Sequence, residues 1–595
     1  MTDQSRSKLG AYKSNYAGIS RRDVLRAGTT IIPASIILPA WLTANAQTAP
    51  TTFDYYIGPR AGIDTNPDGV AAGVDTNAGT LAAPFAITSL RTNNANFSKF
   101  NGTGKRIGIL PGTYDLSALS IADPVIGAIQ MPGGNSTNVN YLASANASGM
   151  YSPRTATLDI KGASGKYGGV NNNEGVLLAH TCEYGVGSGS NGLPGVVVNY
   201  AQGYLTIDGL RFTGFEYKGV RIGGASAVDG PTITNPVVVQ NCEFFGGGFN
   251  PGDELDNCAA LWLDGSTNCV TATNNYFHDS AAPAANNGGH FNAIIVWGAG
   301  ALCKGTTITY NTCVNAGNIF GKEGGISGTI VRNNYVDISN ETAGGASGIQ
   351  DFTGNFAGGA NVGSLTGTTY IQNNIVVAVG GSAGTLDTLG GLSTLQVSPV
   401  TVGWMTPAVI SNNTVICTSG SGATLAVAQC DAGTIAVGAI QYWNNIYAHP
   451  GGSGGANEPF NYLANPAALA VFDYNLNPSS GTIQWLVSGN SSLGGGKTYT
   501  SYSAFAAAIA AGGGISGAEA HSILGAPTFT NTGTYAAKYQ LAAGSVGKGA
   551  GSTNGRSSGS ATDMGAWGNG ATQIGCNFAA PAGTAVPNAP ALTVS

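Results

Sequence analysis

The sequence predicts an all-β, single-stranded right-handed parallel β-helix, a solenoid with long inter-coil loops. Three observations predict it. A short motif built on Asn recurs along the chain, polarity comes from Gly, Asn, Ser and Thr rather than from charge, and the 595 residues fit one long domain because a solenoid grows by adding coils.

The repeat carries most of the weight. Gln240-Asn241-Cys242-Glu243-Phe244, Asn274-Asn275-Tyr276-Phe277, Tyr310-Asn311-Thr312-Cys313, Asn333-Asn334-Tyr335-Val336, Asn373-Asn374-Ile375-Val376, Asn412-Asn413-Thr414-Val415 and Asn444-Asn445-Ile446-Tyr447 share one pattern, Asn before a short β-rich apolar strand. Their first Asn residues, from Asn241 through Asn274, Asn311 and onward, recur at intervals of roughly 20 to 40 residues, as expected of coils with loops of variable length. Asn tolerates the left-handed conformation of a tight corner, and amides stacked at about 4.8 Å can bond in a ladder, so these Asn residues are read as structural.

Composition agrees. Gly accounts for 92 residues, and charged residues for 9% against a usual share of about 25%. With 43% hydrophobic residues the chain can still bury a core. A net charge of −6 and the lack of basic clusters give no footprint for nucleic acid or an anionic membrane, and a monomer is expected.

At the N-terminus, Ser20-Arg21-Arg22-Asp23-Val24-Leu25-Arg26, an apolar stretch from Thr29 to Leu42 and Ala44-Asn45-Ala46 resemble a twin-arginine signal peptide with its cleavage site. The expectation is export to the periplasm or beyond, with no membrane anchor in the mature form. The nine Cys cannot all pair within one chain. Cys417 and Cys430 suit a loop staple, while Cys242, Cys269 and Cys313 read equally well as small buried residues; with no C-x-x-C pair, a structural zinc site is not expected.

Both ends carry a resemblance. Asp54-Tyr55-Tyr56-Ile57-Gly58-Pro59, Gly79-Thr80 and Ala83-Pro84-Phe85-Ala86-Ile87 resemble the opening of secreted β-helix proteins of the pectate-lyase-like superfamily. Phe472-Asp473-Tyr474-Asn475, Ala526-Pro527-Thr528-Phe529, Tyr539-Gln540-Leu541 and Thr562-Asp563-Met564-Gly565-Ala566 resemble their closing segment. The resemblance implies a capping helix near 85–96, a first strand at Arg106 to Leu110 and a turn at Pro111-Gly112-Thr113-Tyr114. The chain then divides into a signal over 1–46, an N-terminal strand and cap over 47–105, the β-helix over 106–480, a closing segment over 481–576 and a disordered Ala/Pro-rich tail over 577–595.

Residues facing out on one strand of successive coils form a column. Aligning the strand after each loop gives one column of Arg221, Trp262, Ile295, Phe320 and Gln350, and a second of Gly223, Asp264, Trp297, Lys322 and Phe352. Aromatic faces pack on pyranose rings, and Arg, Lys and Asp bond hydroxyls or a uronate carboxylate. The alternative is that long loops cover these aromatics as a satellite core, and a slip of one residue would turn the strip inside out. The loops add Asp253, Glu254, Asp256, His278, Asp279, His290 and Glu341.

Two chemistries suit the strip. A lyase on a uronate polymer neutralises the carboxylate, with Arg221 or a cation, and removes the C5 proton, with Lys322 or a His such as His278 or His290. A hydrolase needs two carboxyl groups, for which Asp264 with Asp253, Asp279 or Glu341 is the best set. By resemblance, Lys322 lies in the kind of coil that carries the Lys of alginate lyases on this fold, but the Arg that partners it there is replaced near Gln350, and the catalytic signatures of pectate lyases, polygalacturonases and alginate lyases are not recognisable in the sequence. Asp253, Glu254 and Asp256 have oxygens suited to Ca²⁺, without EF-hand spacing. The fold also hosts non-catalytic glycan-binding, surface and adhesive proteins, which is the alternative reading.

Overall fold

The computed structural model describes residues 49–578 apart from breaks, the longest at 117–128, 160–173, 184–196, 223–234, 351–366 and 379–391; some strand residues are described by backbone alone. The proposed signal peptide lies outside the described residues.

Each repeat folds as one coil because its three short β-rich segments cannot bury their apolar faces alone. The coil at 237–264 shows the plan: Val237–Gln240 joins the first sheet, Glu243–Phe245 the second and Asn257–Asp264 the third. The first sheet has 13 strands from Phe85–Ala86 to Leu469–Asp473, and the second has 12 from Gly112–Asp115 to Ile523–Leu524. The third has 13 strands, parallel except for its last pair, where Thr482–Val487 meets Lys497–Tyr499 antiparallel. Successive coils are thus parallel neighbours in all three sheets, and the chain is a right-handed parallel β-helix.

Alternation fills the inside. Ile207, Val239, Ala272, Ile308, Val331, Ile371, Ile410, Tyr442 and Phe472 are register partners coil after coil, and all belong to one buried core. Phe212, Phe244 and Phe277 form a parallel stack with centroids 4.8 and 4.7 Å apart. Each such buried ring contributes about 2 to 3 kcal/mol from burial alone.

The corner between the first and second sheets explains the Asn pairs, and it gives the two members different jobs. The first member is left-handed: φ is 54° at Asn274, 57° at Asn333, 56° at Asn373, 57° at Asn412 and 55° at Asn444. The second is buried and forms a continuous ladder through Asn275, Asn311, Asn334, Asn374, Asn413, Asn445 and Asn475. Each backbone N–H and Nδ2 donates to the Oδ1 of the next coil, as from Asn334 to Asn374 at 3.0 Å. The other Nδ2 hydrogen reaches a carbonyl of the preceding coil, as from Asn374 to Val331 at 2.9 Å. Counting Asn311 as equivalent to Asn274 is therefore off by one residue: the left-handed position of that coil is Tyr310, with φ 57°.

The N-terminal end departs from expectation. Phe85–Ala86 is a strand paired with Tyr55–Gly58, Ile87–Leu90 is one 3₁₀ turn, and the short helix α1 falls later, at Phe97–Phe100. Phe85, Phe100 and Tyr55 pack edge to face or tilted over the first coil. The strand expected at Arg106 is present as Arg106–Ile109, but Gly112–Asp115, read as a turn, opens the second sheet. At the other end a helix that was not anticipated, α2 at Tyr502–Ala511, buries Phe505 and Ile509 in the core, and the Ser501 hydroxyl caps it by accepting from Ala504 N–H.

Beyond the last coil the chain turns back along the second sheet. Ala536, Leu541, Met564, Ala566 and Ile574 pack on Tyr335, Ile375, Val377, Ile416 and Ile446. The described chain stays docked past residue 576, through Asn577 and Phe578, the first two residues assigned above to the tail. Cys242, Cys303 and Cys313 are fully buried and Cys576 is half-buried. Cys417 pairs in the second sheet and Cys430 in the third.

Candidate functional site

The third sheet presents the aligned strip. Arg221, Trp262, Ile295, Phe320 and Gln350 are register partners on five successive strands, and Asp264, Trp297 and Lys322 are partners two residues further along. Their sequence neighbours Val220, Leu261, Leu263, Ile294, Val296, Ile319 and Ile349 lie in the central core, so the column beginning Arg221, Trp262 and Ile295 faces away from it.

Facing away does not make the first part of the column open. Arg221 is 7% exposed, Trp262 3% and Ile295 0%, and Trp262 and Ile295 close a small cluster with Ala259. Of the two readings of these residues, the satellite core describes Trp262 and Ile295. The side chains of Asp264, His290, Trp297, Phe320, Lys322 and Gln350 lie outside the described residues, although their strand positions are fixed by register. Gly223, Asp253, Glu254, Asp256, Glu341 and Phe352 lie outside them entirely.

His278 belongs elsewhere. It ends the strand Tyr276–His278 of the second sheet, and His290 opens the strand His290–Trp297 of the third. His278 sits in an ionic network on the outer face of the second sheet. Its Nε2 lies 3.0 Å from Glu243 Oε1 and its Nδ1 2.8 Å from Asp279 Oδ2. Glu243 also accepts from Arg211, Nε to Oε2 at 2.9 Å, and the Arg211 guanidinium lies over the Phe245 ring at 4.6 Å. The His278 ring stacks between Tyr276, at 4.2 Å, and Phe245, at 5.5 Å.

Burial of Glu243 works to raise its carboxyl, but hydrogen bonds and charge from His278 and Arg211 outweigh it and hold the group below the usual carboxylate range. Both nitrogens of His278 face carboxylate oxygens, so it can accept a substrate proton only after letting go of Glu243 or Asp279. The geometry is that of an anchored charge cluster.

Arg211 and Glu243 were missed in the sequence. The signal was present, since they occupy the same place after the corner in successive coils and pair in register. A second network was also missed: buried Asp208 accepts hydrogen bonds from the hydroxyls of Tyr141 and Tyr151 and the side-chain amides of Gln240 and Asn241. Four donors satisfy this carboxylate without a cation. No group of His, Cys, Asp and Glu suited to a metal ion occurs among the described residues, and none of the described helices is long and apolar enough to cross a membrane.

No known family's sequence profile matches the chain, and no curated protein matches it in sequence. Among solved structures it is similar to pectate lyase Pel9A, with TM-score 0.41 and 15% identity over 86% of this chain and 96% of that one. It is similar also to a mannuronic acid specific polysaccharide family 6 lyase from human gut microbiota, with TM-score 0.37 and 14% identity over 68% and 74% of the two chains. PfbA, a surface adhesin of Streptococcus pneumoniae, matches with TM-score 0.34 and 13% identity over 66% and 83%. These are likenesses of architecture, and the fold itself rests on the three parallel sheets and their register.

Proposed function

We propose that this is an exported protein that binds and cleaves polysaccharide along the outer face of the third sheet, as a lyase on a uronate polymer. One observation carries the reading: Asp264, Trp297 and Lys322 fall in one register column beside that of Arg221, Trp262, Phe320 and Gln350. Neighbouring strands lie about 4.8 Å apart, so three coils span about 10 Å, the length of roughly two sugar rings. In this reading Trp297 and Phe320 stack on the sugar, Gln350 bonds hydroxyls, and the carboxylate is neutralised by a bound cation, since Arg221 is buried. Lys322, as the neutral amine, removes the C5 proton; the C4–C5 double bond forms as the C4–O bond breaks, and the leaving oxygen takes a proton from water. Export rests on Arg21-Arg22 and the apolar stretch after them.

A second reading has one observation in its favour. Trp262 and Ile295 are closed into their own cluster, which removes both from the open part of the strip and leaves fewer groups for chemistry in a β-helix that could hold glycan without cleaving it. A hydrolase built on Asp264 is the third arm of the same test. The exported fraction is incubated with uronate and neutral polysaccharides, following unsaturated product by ultraviolet absorbance and reducing ends separately. Unsaturated product is expected, and Lys322→Ala should lower its rate at least about 100-fold with the fold retained. Full activity in that variant excludes Lys322 as the base. Reducing ends without unsaturation select hydrolysis, and silence with retained glycan binding selects the non-catalytic reading. Protein confined to the cytoplasm removes export.

A further inference from the structure

The first Asn of each pair has a use beyond its backbone conformation. Residues 561–578 run back along the corner against the direction of the coils, and they meet this Asn row step by step. Gly565 N–H donates to Asn444 O at 2.7 Å, and Ala566 N–H to Thr414 Oγ1 at 2.9 Å. Asn373 Nδ2 donates to the carbonyls of Ala566 at 2.9 Å and Gly568 at 3.1 Å, and Asn333 Nδ2 to Gln573 O at 2.9 Å. Asn274 and Asn577 exchange a pair of bonds, Nδ2 to Oδ1 at 2.9 Å and N–H to Oδ1 at 2.8 Å. Gly565 and Gly575, both at positive φ, allow the approach: a Cβ on Gly565 would meet Ile446 at 2.5 Å, and one on Gly575 would meet Thr312 Oγ1 at 2.5 Å.

The run ends at the ionic cluster. Phe578 lies under the Arg154 guanidinium at 3.6 Å and edge-on to Tyr276 at 6.2 Å. The Tyr276 hydroxyl is 2.7 Å from that of Tyr535, and the Tyr276 ring stacks on His278. The returning chain therefore touches both the Asn row and, through Tyr276, the imidazole.

We infer that residues 561–578 are a separable clasp, seated by the side-chain amides of Asn274, Asn333 and Asn373, which opens before the coils unfold and whose seating sets the surroundings of His278. The coils beneath do not need the clasp for their own hydrogen bonds, because those run coil to coil in the sheets and in the inner Asn ladder. A row of side-chain amides meeting a returning main chain is a docking edge, with the same donors and acceptors that an added strand would use.

Gly is the substitution that isolates the amide, because it keeps the left-handed backbone. The fold supplies its own control at Asn412, which has the same φ of 57° and no hydrogen-bond partner for its Nδ2. In the full mature chain, Asn333→Gly with Asn373→Gly should speed cleavage within 561–578 by a nonspecific protease about tenfold or more, the order expected from losing three hydrogen bonds. Far-ultraviolet dichroism and the main unfolding transition should remain. The His278 imidazole signals, read by NMR with labelled histidine, should shift, and Asn412→Gly, which removes a side chain that lies against Gly568 without bonding it, should accelerate cleavage far less than the double variant and leave the His278 signals in place. Cleavage at the unaltered rate, equal acceleration by Asn412→Gly, or cleavage only with global unfolding would overturn the clasp. A fixed His278 signal in the opened clasp would overturn its coupling to the cluster. Should the double variant not fold, Asn373→Gly alone is tested, and a second failure would overturn separability.

Discussion

Glu243 shows how one side chain in this protein depends on coils on either side of it. Its partners are 32 residues back, at Arg211, and 35 residues on, at His278. Its carboxyl is held below the ordinary range, so it favours the folded state fully above the unfolded value of about 4.3, and that contribution fades as pH falls through the depressed folded value. The expected outcome is a guanidinium midpoint that drops with acid below about pH 4 in the unaltered protein. Glu243→Gln should be about 2 kcal/mol less stable at neutral pH and lose less on acidification. Parallel midpoint curves for the two proteins would refute the linkage. His278 stood out in the sequence as a rare histidine beside Asp279, but Glu243 and Arg211 did not, because proximity across coils appears only once the strands are aligned after the corner rather than after the loop.

At the scale of the element, the two Asn of a pair make opposite predictions. Asn374→Ala removes the acceptor of Asn334 N–H and Nδ2 and the donor to Val331 O and Asn413 Oδ1, all inside the coil stack. It should cost about 3 to 5 kcal/mol in a denaturant titration, since buried amides are left without partners. A loss no larger than that of Asn412→Gly would deny the ladder its role. The period of this ladder was legible from the sequence and its register was not, because Tyr310 takes the left-handed position before Asn311 and hides which Asn is equivalent to which. The strip on the third sheet was legible in register, but not in burial. An alternating strand tells which side of the sheet a residue takes, and not whether Arg221 and Trp262 are covered on that side.

For the molecule as a whole, the exposed ends of three stacked sheets are the liability. Tyr55–Gly58 with Phe85–Ala86 and α1 cover one end, and α2 covers the other, with Phe505 against Phe472 at 5.4 Å. Phe505→Asp should uncap that end, with a shift to higher oligomers in size-exclusion chromatography with light scattering; a monomer of unchanged stability would show that α2 is not the cap. The ends were only partly legible. Phe85 looked like a helix start, yet pairing with Tyr55–Gly58 makes it a strand, which is tertiary context overriding local preference. The helix α2 was readable, with Ser501 ahead of an Ala-rich run and Gly512 after it, and went unread.

The amide ladder has a direction. Each Asn accepts from the coil before and donates to the coil after, from Cys242 N–H at the start to Asn475, whose Nδ2 ends on the buried carboxylate of Glu519 at 3.1 Å. Every interior member has the same two neighbours and makes the same bonds. A whole coil duplicated or deleted between Asn275 and Asn475 would leave each amide as well matched as before, so the ladder by itself sets no number of coils. Only the two terminators, and the returning chain whose length is matched to the row it meets, would have to change with it.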